Sequence, residues 1–309
     1  MYFASLATGS SDRYDILRTS FIWSDLAASV QVVRQQAALP FTYSDYRGVD
    51  RQQQQQNIVA EIEREKQGFE WSQPPLMRLH LMQLSAQTYE FLWSSHHILL
   101  DGWSLPLVFK EVLAAYQVYE RGETIDVVPP ANSYRSYIAW LQAQDMVAAQ
   151  VFWQQQLEGI AAPTPLIAPT DRSALTSGSY IARLQLPPET TATLQQFVRQ
   201  HQLTMSNLIQ GAWALLLGRY SDERDVVFGV TVSGRPAALA GVEEIVGLFI
   251  NTLPLRVAIP DEIEVLPWLQ TLQAQQQEID RYAYTPLVEI QGWSEIPAGA
   301  ALFESISGV

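Results

Sequence analysis

One stretch constrains this chain more than any other: residues Ser94 to Ser104, with the sequence SSHHILLDGWS. The preceding residues, Thr88 to Trp93, are rich in aromatic side chains and predict a β-strand. Asp101 and Gly102 predict a turn, and Ser104 is of a residue type that caps the first turn of a helix. The segment is therefore expected to run from a strand through a tight turn into a helix.

Two of the four histidines of the chain, His96 and His97, stand side by side in this stretch. The end of a strand is a rim position, where reactive side chains collect. Imidazole titrates near neutral pH, so a histidine there can take a proton from an incoming nucleophile. A purely structural pair is the alternative. A metal site is not expected, because adjacent side chains on a strand point to opposite faces and no HExxH helix or third ligand cluster is visible.

The composition excludes several classes of protein. Of the 309 residues, 48% are hydrophobic and 17% are charged, which is typical of a globular chain. The formal net charge of −13 argues against a nucleic-acid partner. No apolar run reaches the length of a membrane span, so no membrane partner is expected. The absence of cysteine excludes disulfides and thiol nucleophiles, and it fits a cytoplasmic protein.

Mixed helices and strands are predicted on both sides of one linker. The linker is the proline-rich stretch 159–179, which separates an N-terminal lobe, 1–158, from a C-terminal lobe, 180–309. The pattern predicts a mixed α/β fold with two lobes. The predicted strands are 76–84, 88–95, 180–186, 225–233 and 248–258, and the predicted helices are 52–66, 105–120, 133–157, 189–201, 204–219 and 263–283.

The stretch around the histidines resembles the HHxxxDG signature of the condensation domains of nonribosomal peptide synthetases. Chloramphenicol acetyltransferase and the CoA-dependent acyltransferases carry a related HxxxDG. Further blocks of the family are matched along nearly the whole chain: RYDILRTSF at 13–21 resembles RHxxLRTxF with Tyr14 in place of histidine, SYRSYIAW at 133–140 resembles YxxYxxW, and IVGLFINTLPLR at 245–256 resembles IGxFxNTxxxR.

The resemblance implies a fold, a reaction and a set of partners. The fold is a pair of chloramphenicol acetyltransferase-like lobes with the active site in a channel between them. The reaction joins an acyl or peptidyl thioester on an upstream peptidyl carrier domain to the amine of an aminoacyl thioester on a downstream one, with an adenylation domain in the same synthetase. No cofactor is bound directly, since both substrates arrive as phosphopantetheine thioesters on the carriers. A free-standing CoA-dependent acyltransferase and an inactive or docking condensation-like piece stay open as alternatives.

The resemblance also implies a catalytic group made of His97, His96, Asp101 and Gly102, with Arg18 as its structural support. His97 is expected to receive a proton from the attacking amine or to orient the tetrahedral species, while His96 packs inside. Asp101 is expected to pair with Arg18, which would hold the loop in shape. Gly102 would let the backbone approach the reacting carbonyl and would offer its N–H as an oxyanion donor.

Other polar and aromatic residues are candidates for lining the substrate channel: Trp103, Ser104, Ser233 and Asn251, with Arg235 as a weaker one. The aromatic residues of the block 133–140 are better explained by core packing. The Gly-Trp-Ser sequence after Asp101 favours the subtype that joins an L-configured donor over an epimerisation domain.

Both ends of the sequence resemble the interior of a domain. The first matched block begins already at Arg13, and the last residues, 302–309, predict a buried strand. The chain is therefore expected to be an internal piece of a larger synthetase that cannot catalyse condensation alone.

Overall fold

A computed structural model describes residues 13–24, 26, 29–123, 132–166, 180–262 and 264–308. The chain divides into two compact units. Unit 1 comprises Met1–Gln142 and Arg235–Phe249, and unit 2 comprises Ala143–Gly234 and Ile250–Val309. The segment Arg235–Phe249, called the crossing segment below, therefore belongs to unit 1, although the chain on both sides of it belongs to unit 2.

The described residues of unit 1 form two small sheets. In the first, β1 (Thr19–Ile22) pairs antiparallel with β2 (Val30–Val33). In the second, β4 (Met77–Gln83) lies between β3 (Phe41–Asp45), to which it is parallel, and β5 (Tyr89–Ser95), to which it is antiparallel. The α-helices with described bounds are α1 (Arg51–Glu65), α2 (Ser104–Glu120) and α3 (Tyr134–Gln142).

The core of unit 1 lies directly beneath the loop that joins β5 to α2. Leu99 and Leu100, the two leucines before the aspartate, are 0% and 4% exposed. They belong to one buried cluster with Leu17, Leu76 and Val108. Burying two leucine side chains contributes roughly 1.5–3 kcal/mol each, so the loop is anchored by its own apolar residues.

Unit 2 is built around one larger core. Its described elements are α4 (Met146–Gln156), α5 (Pro188–Gln200), α6 (Met205–Ser221), β6 (Asp225–Val232), β7 (Asn251–Ala258), α7 (Val265–Asp280), α8 (Leu287–Trp293) and β8 (Ile306–Ser307). β6 lies between antiparallel β7 and parallel β8. Trp153 of α4, Phe228 of β6 and Leu269 of α7 are each buried in this core.

Most of the predicted long elements are confirmed, including the antiparallel pair β4–β5 and the helices α1, α2, α5, α6 and α7. The predicted helix 133–157 is wrong as one element, because α3 ends at Gln142 and α4 begins at Met146. Asp145 is the reason for the break. It lies before α4 in an extended conformation, and its carboxylate accepts hydrogen bonds from the N–H groups of Val147 and Ala148.

Two other expectations are corrected. Residues 180–186 form no strand, and Tyr180 and Leu184 are 83% and 89% exposed. The buried strand expected at 302–309 is reduced to the two residues of β8, of which Ile306 is 60% exposed, whereas Leu302 is buried. The short elements β1, β2, β3 and α8 were not predicted, because a few residues carry too little periodicity to identify them.

The predicted lobe limits at 158 and 180 stay a prediction, and most of the predicted linker, 167–179, lies outside the described residues. In the part of the chain that the structure describes, no helix is both long and apolar enough to cross a membrane.

The cap at the start of α4 provides a test of the helix break. Replacing Asp145 with alanine leaves two helix N–H groups without their acceptor, so Asp145→Ala should destabilise the protein by about 0.5–2 kcal/mol in urea unfolding. Asp145→Asn keeps an acceptor oxygen and should stay close to the wild type. Equal losses in the two variants would show that the carboxylate charge, and not the cap, stabilises α4.

Candidate active site

The stretch folds as strand, turn and helix, as predicted, but Ser104 does not cap the helix: it is the first helical residue, and Trp103 precedes it without a side-chain cap. β5 ends at Ser95, and α2 begins at Ser104. The His96 N–H donates to the carbonyl of Leu76, 2.9 Å away, where β4 begins. The carbonyl of Asp101 accepts from the N–H groups of Ser104 and Leu105. Both sides of the turn are therefore tied to regular structure by backbone hydrogen bonds.

The two histidines have different surroundings. His96 is half-buried, its Nδ1 accepts a hydrogen bond from the N–H of Ile98 at 3.1 Å, and its ring packs edge-on against Trp71 with centroids 4.7 Å apart. His97 is exposed, and its ring makes no hydrogen bond to any other residue that the structure describes. His96 is thus held by its neighbours, while among the described residues none engages a ring nitrogen of His97. The roles assigned to them stay predictions.

The carboxylate of Asp101 is 4% exposed and lies at the centre of a hydrogen-bond network. Its Oδ1 accepts from the N–H of Ser104 at 2.8 Å and from the Ser104 hydroxyl at 2.7 Å. Its Oδ2 accepts from the N–H of Phe249 at 3.1 Å. Asp101 therefore joins the first turn of α2 to the end of the crossing segment.

The cation beside Asp101 is Arg235, and the predicted pair of Asp101 with Arg18 is wrong. Nη2 of Arg235 lies 3.4 Å from Oδ1 of Asp101, and the Arg235 side chain is only 5% exposed. Burial lowers the pKa of Arg235, and the neighbouring Asp101 charge acts in the opposite direction. Arg18 instead pairs with Asp15, three residues earlier, and donates to the carbonyl of Arg34.

Arg235 also organises the crossing segment. Its Nη1 donates to the carbonyls of Val242 and Ile245 at 2.5 and 2.9 Å. Its guanidinium lies 3.9 Å from the ring centroid of Phe249 and 5.6 Å from that of Trp103. A planar guanidinium can donate to several acceptors while it stacks on aromatic rings, which a lysine could not do.

Ser104 has a structural function, so its prediction as a channel residue is wrong. It is 0% exposed, and its hydroxyl lies 2.7 Å from the carbonyl of Gly247 and 3.0 Å from the N–H of the same residue. Nη2 of Arg235 also donates to it at 3.0 Å. A side chain with no exposed surface cannot line a channel.

The aromatic block of α3 supports the crossing segment, as core packing predicts. The Tyr134 hydroxyl donates to the carbonyl of Leu248 at 2.5 Å. Tyr137 packs against Phe249 with ring centroids 4.4 Å apart and stacks on Trp140. Burial raises the pKa of Tyr137 to about 12 and raises that of Tyr134 as well, so both phenols stay neutral hydrogen-bonding and packing groups at physiological pH.

The two glycines near Asp101 have different surroundings. A Cβ atom on Gly247 would lie 2.1 Å from the Tyr134 ring, which leaves no room for a side chain. A Cβ atom on Gly102 would meet nothing within 4 Å, and Gly102 is exposed. Its N–H makes no hydrogen bond to another described residue. The protein itself thus imposes no need for glycine at position 102.

The remaining channel candidates are placed as follows. Trp103 is 56% exposed, and its indole N–H donates to the carbonyl of Glu243 at 3.1 Å. Ser233 is exposed. In unit 2, the Asn251 side chain donates to the carbonyls of Ala283 and Thr285 at 2.9 and 2.8 Å, which fixes the loop before α8. The channel role of these three candidates stays a prediction.

No metal centre is formed by the described residues, in which no group of three or more His, Cys, Asp or Glu side chains could hold an ion. The sequence reasoning missed the function of Arg235 and of Gly247. The signal for Arg235 was present in the SGRP sequence at 233–236, but a lone arginine in a loop does not reveal which carboxylate it faces.

The model of the condensation domain family matches residues 5–306, and the chain belongs to this family. Among its relatives are two of the proteins that make up the linear gramicidin synthase of Brevibacillus parabrevis, which are 45% identical to it over 300 residues and 48% identical over 301 residues. Both alignments cover 96% of this chain but only 6% and 4% of those proteins.

Among solved structures, the chain is similar to the X-domain from teicoplanin biosynthesis, with a TM-score of 0.83 and 23% identity. The superposition covers 98% of this chain and 68% of that one. At this identity the likeness shows the fold alone. The predicted class, a mixed α/β fold of the chloramphenicol acetyltransferase type, is confirmed.

The Asp101–Arg235 pair can be tested by a double-mutant cycle. Asp101→Ala and Arg235→Ala should each destabilise the protein by roughly 3–5 kcal/mol, because each leaves the other charge buried without its partner. The double variant should cost less than the sum of the two losses. The matched cycle of Asp101→Ala with Arg18→Ala should be additive, and coupling there instead would restore the original assignment.

Substitution by alanine should have opposite effects on stability at the two glycines, Gly247 and Gly102. Gly247→Ala forces a methyl group against Tyr134 and should cost about 1–3 kcal/mol, measured as a lower urea midpoint. Gly102→Ala should leave the free energy of unfolding within about 0.5 kcal/mol of the wild type, as for other surface changes. A large loss of stability in Gly102→Ala would mean that other atoms of the folded protein occupy the space beside Gly102.

Proposed function

We propose that the chain forms an amide bond between an acyl or peptidyl thioester on an upstream carrier domain and the amine of an aminoacyl thioester on a downstream one. Its relatives belong to peptide synthetases, and this favours a synthetase reaction over a free-standing acyltransferase. The single observation that carries the proposal is the exposed His97 ring on a turn whose shape Asp101 fixes from behind.

The proposed step balances with the groups present. The amine nitrogen of the acceptor attacks the thioester carbonyl, and the proton lost by nitrogen passes to His97. The C–S bond then breaks, and the leaving thiolate takes the proton from His97. The products are an amide and a free phosphopantetheine thiol. General-base help of this kind is typically worth roughly 10²–10⁴ in rate.

Gly102 has the properties that an oxyanion donor needs. Its N–H is free of bonds to the described residues, and the space where a side chain would stand is open. A thioester carbonyl can therefore come within hydrogen-bond distance of the backbone, which stabilises the charge that develops on its oxygen. This accounts for a glycine that neither the packing nor the backbone conformation requires.

The partners in this proposal are two peptidyl carrier domains and an adenylation domain of the same synthetase, and the phosphopantetheine arms of the carriers bring the substrates. The L-donor subtype and the cytoplasmic location belong to the same proposal. An inactive docking piece is less consistent with a signature in which His97, Asp101 and Gly102 are all present.

The test is single-turnover condensation between two loaded carrier domains. His97→Ala should lower the rate by roughly 10²-fold or more without changing the melting temperature, since the ring is exposed. His96→Ala should lower the stability as well, because it removes the contact with Trp71 and the bond to Ile98. The matched control is His201→Ala, which removes a histidine at the end of α5 in unit 2 and should leave the rate unchanged.

Full condensation by folded His97→Ala would exclude this residue from proton transfer. Gly102→Ala provides a second measurement, with an expected loss of rate and unchanged stability. If Gly102→Ala condenses at the wild-type rate, the reacting carbonyl does not need the open space at position 102.

A further inference from the structure

A second group of reactive side chains lies in unit 1 on the sheet β3–β4–β5, and the proposed function makes no use of it. It consists of Ser44 on β3, His80 on β4 and Glu61 on α1. The Ser44 hydroxyl oxygen lies 2.9 Å from Nε2 of His80, and Nδ1 of His80 lies 3.6 Å from Oε2 of Glu61. These three side chains form a serine–imidazole–carboxylate series.

The strand register brings these side chains together. Ser44 is paired with Met82, which lies two residues after His80 on β4, so Ser44 and His80 point to the same face of the sheet. Helix α1 covers that face, since Glu65 on α1 pairs with Arg78 at 2.7 Å. Glu61, one helical turn before Glu65, is placed over His80 for the same reason.

The atoms that face the two ring nitrogens favour one tautomer of His80. A carboxylate without a proton only accepts hydrogen bonds, so the tautomer that suits this arrangement has its hydrogen on the Nδ1 that faces Glu61. Nε2 is then an acceptor, and the Ser44 hydroxyl donates to it. This is the arrangement in which an imidazole takes the proton of a serine as the serine oxygen attacks.

Burial and access fit such a role. His80 is 7% exposed, which shields the ring from water. Ser44 is half-buried on β3, an edge strand of the described sheet. The 3.6 Å separation of Nδ1 and the carboxylate is longer than a hydrogen bond, although such contacts are often looser in the absence of substrate. Glu61 also pairs with Arg64.

We propose that Ser44 is an activated nucleophile that accepts acyl groups from reactive esters and thioesters. The Ser44 oxygen forms a bond to the acyl carbon as its proton passes to Nε2 of His80. The C–S bond of a thioester then breaks, and the leaving thiolate takes the proton from Nε2. The products are an acyl ester on Ser44 and a free thiol. This site is independent of His97 and of amide-bond formation.

The chain contains no GxSxG sequence, so nothing local marks Ser44 as a nucleophile. Its activation depends on three elements that the sequence separates by many residues. Ser104 provides the contrast, because its hydroxyl contacts a carboxylate, a carbonyl and a guanidinium but no imidazole. Of these two serines, only Ser44 has an imidazole within hydrogen-bond distance.

The experiment is labelling of the folded 309-residue chain with a fluorophosphonate, followed by peptide mapping with mass spectrometry. Wild-type protein should carry the adduct on Ser44, and Ser44→Ala should lose it. His80→Gln should lower the labelling rate by roughly 10²-fold. Ser95→Ala is the matched control, a serine at the end of β5 on the same sheet, and should label as the wild type does.

Glu61→Gln is the second variant, to be used if the buried His80→Gln variant does not fold, because glutamine has nearly the same shape as glutamate. It should lower the labelling rate while the melting temperature stays unchanged. Absence of an adduct on Ser44 in folded wild-type protein overturns the proposal. The proposal is also overturned if Glu61→Gln is labelled at the wild-type rate and His80→Gln either is labelled at that rate too or does not fold. Condensation activity has no part in either outcome.

Discussion

The buried carboxylate of Asp101 is the constraint on which the candidate site depends. A charged group removed from water needs both a counter-ion and hydrogen-bond donors, and here they come from two directions. The start of α2 supplies Ser104, and the crossing segment supplies Arg235 and the N–H of Phe249. Satisfying one charge thus fixes the direction in which α2 leaves the turn and the place where the crossing segment lies.

This arrangement separates buried supporting side chains from exposed ones within a few residues. Leu99, Leu100, Asp101 and Ser104 are buried in unit 1, whereas His97 and Gly102 are exposed. A reactive group has to be held within a fraction of an ångström of its working position, and buried neighbours do this better than solvent-facing ones. The exposed imidazole of His97 is therefore supported by buried neighbours in the same turn. The adjacent His96 ring packs against Trp71.

The chemistry of a polar group inside unit 1 depends on the groups that it contacts. The Ser104 hydroxyl connects Asp101 with Gly247, and burial raises the pKa values of Tyr134 and Tyr137 on α3 further above neutral pH. The Ser44 hydroxyl meets an imidazole instead. The same functional group is structural in one place and a candidate nucleophile in the other, and the neighbouring base makes the difference.

The sequence by itself determined the features that depend on neighbours along the chain. The strand, turn and helix around His96 and His97, the long helices and the family could all be read from local patterns. The sequence did not reveal the helix break before Asp145. The apolar pattern continues through the break, and the new helix begins there because the Asp145 side chain caps it. The sequence also assigned the wrong arginine to Asp101. Arg18 and Arg235 are equally charged, and only the tertiary structure decides which guanidinium reaches a buried carboxylate, because that choice depends on how segments distant in the sequence pack together.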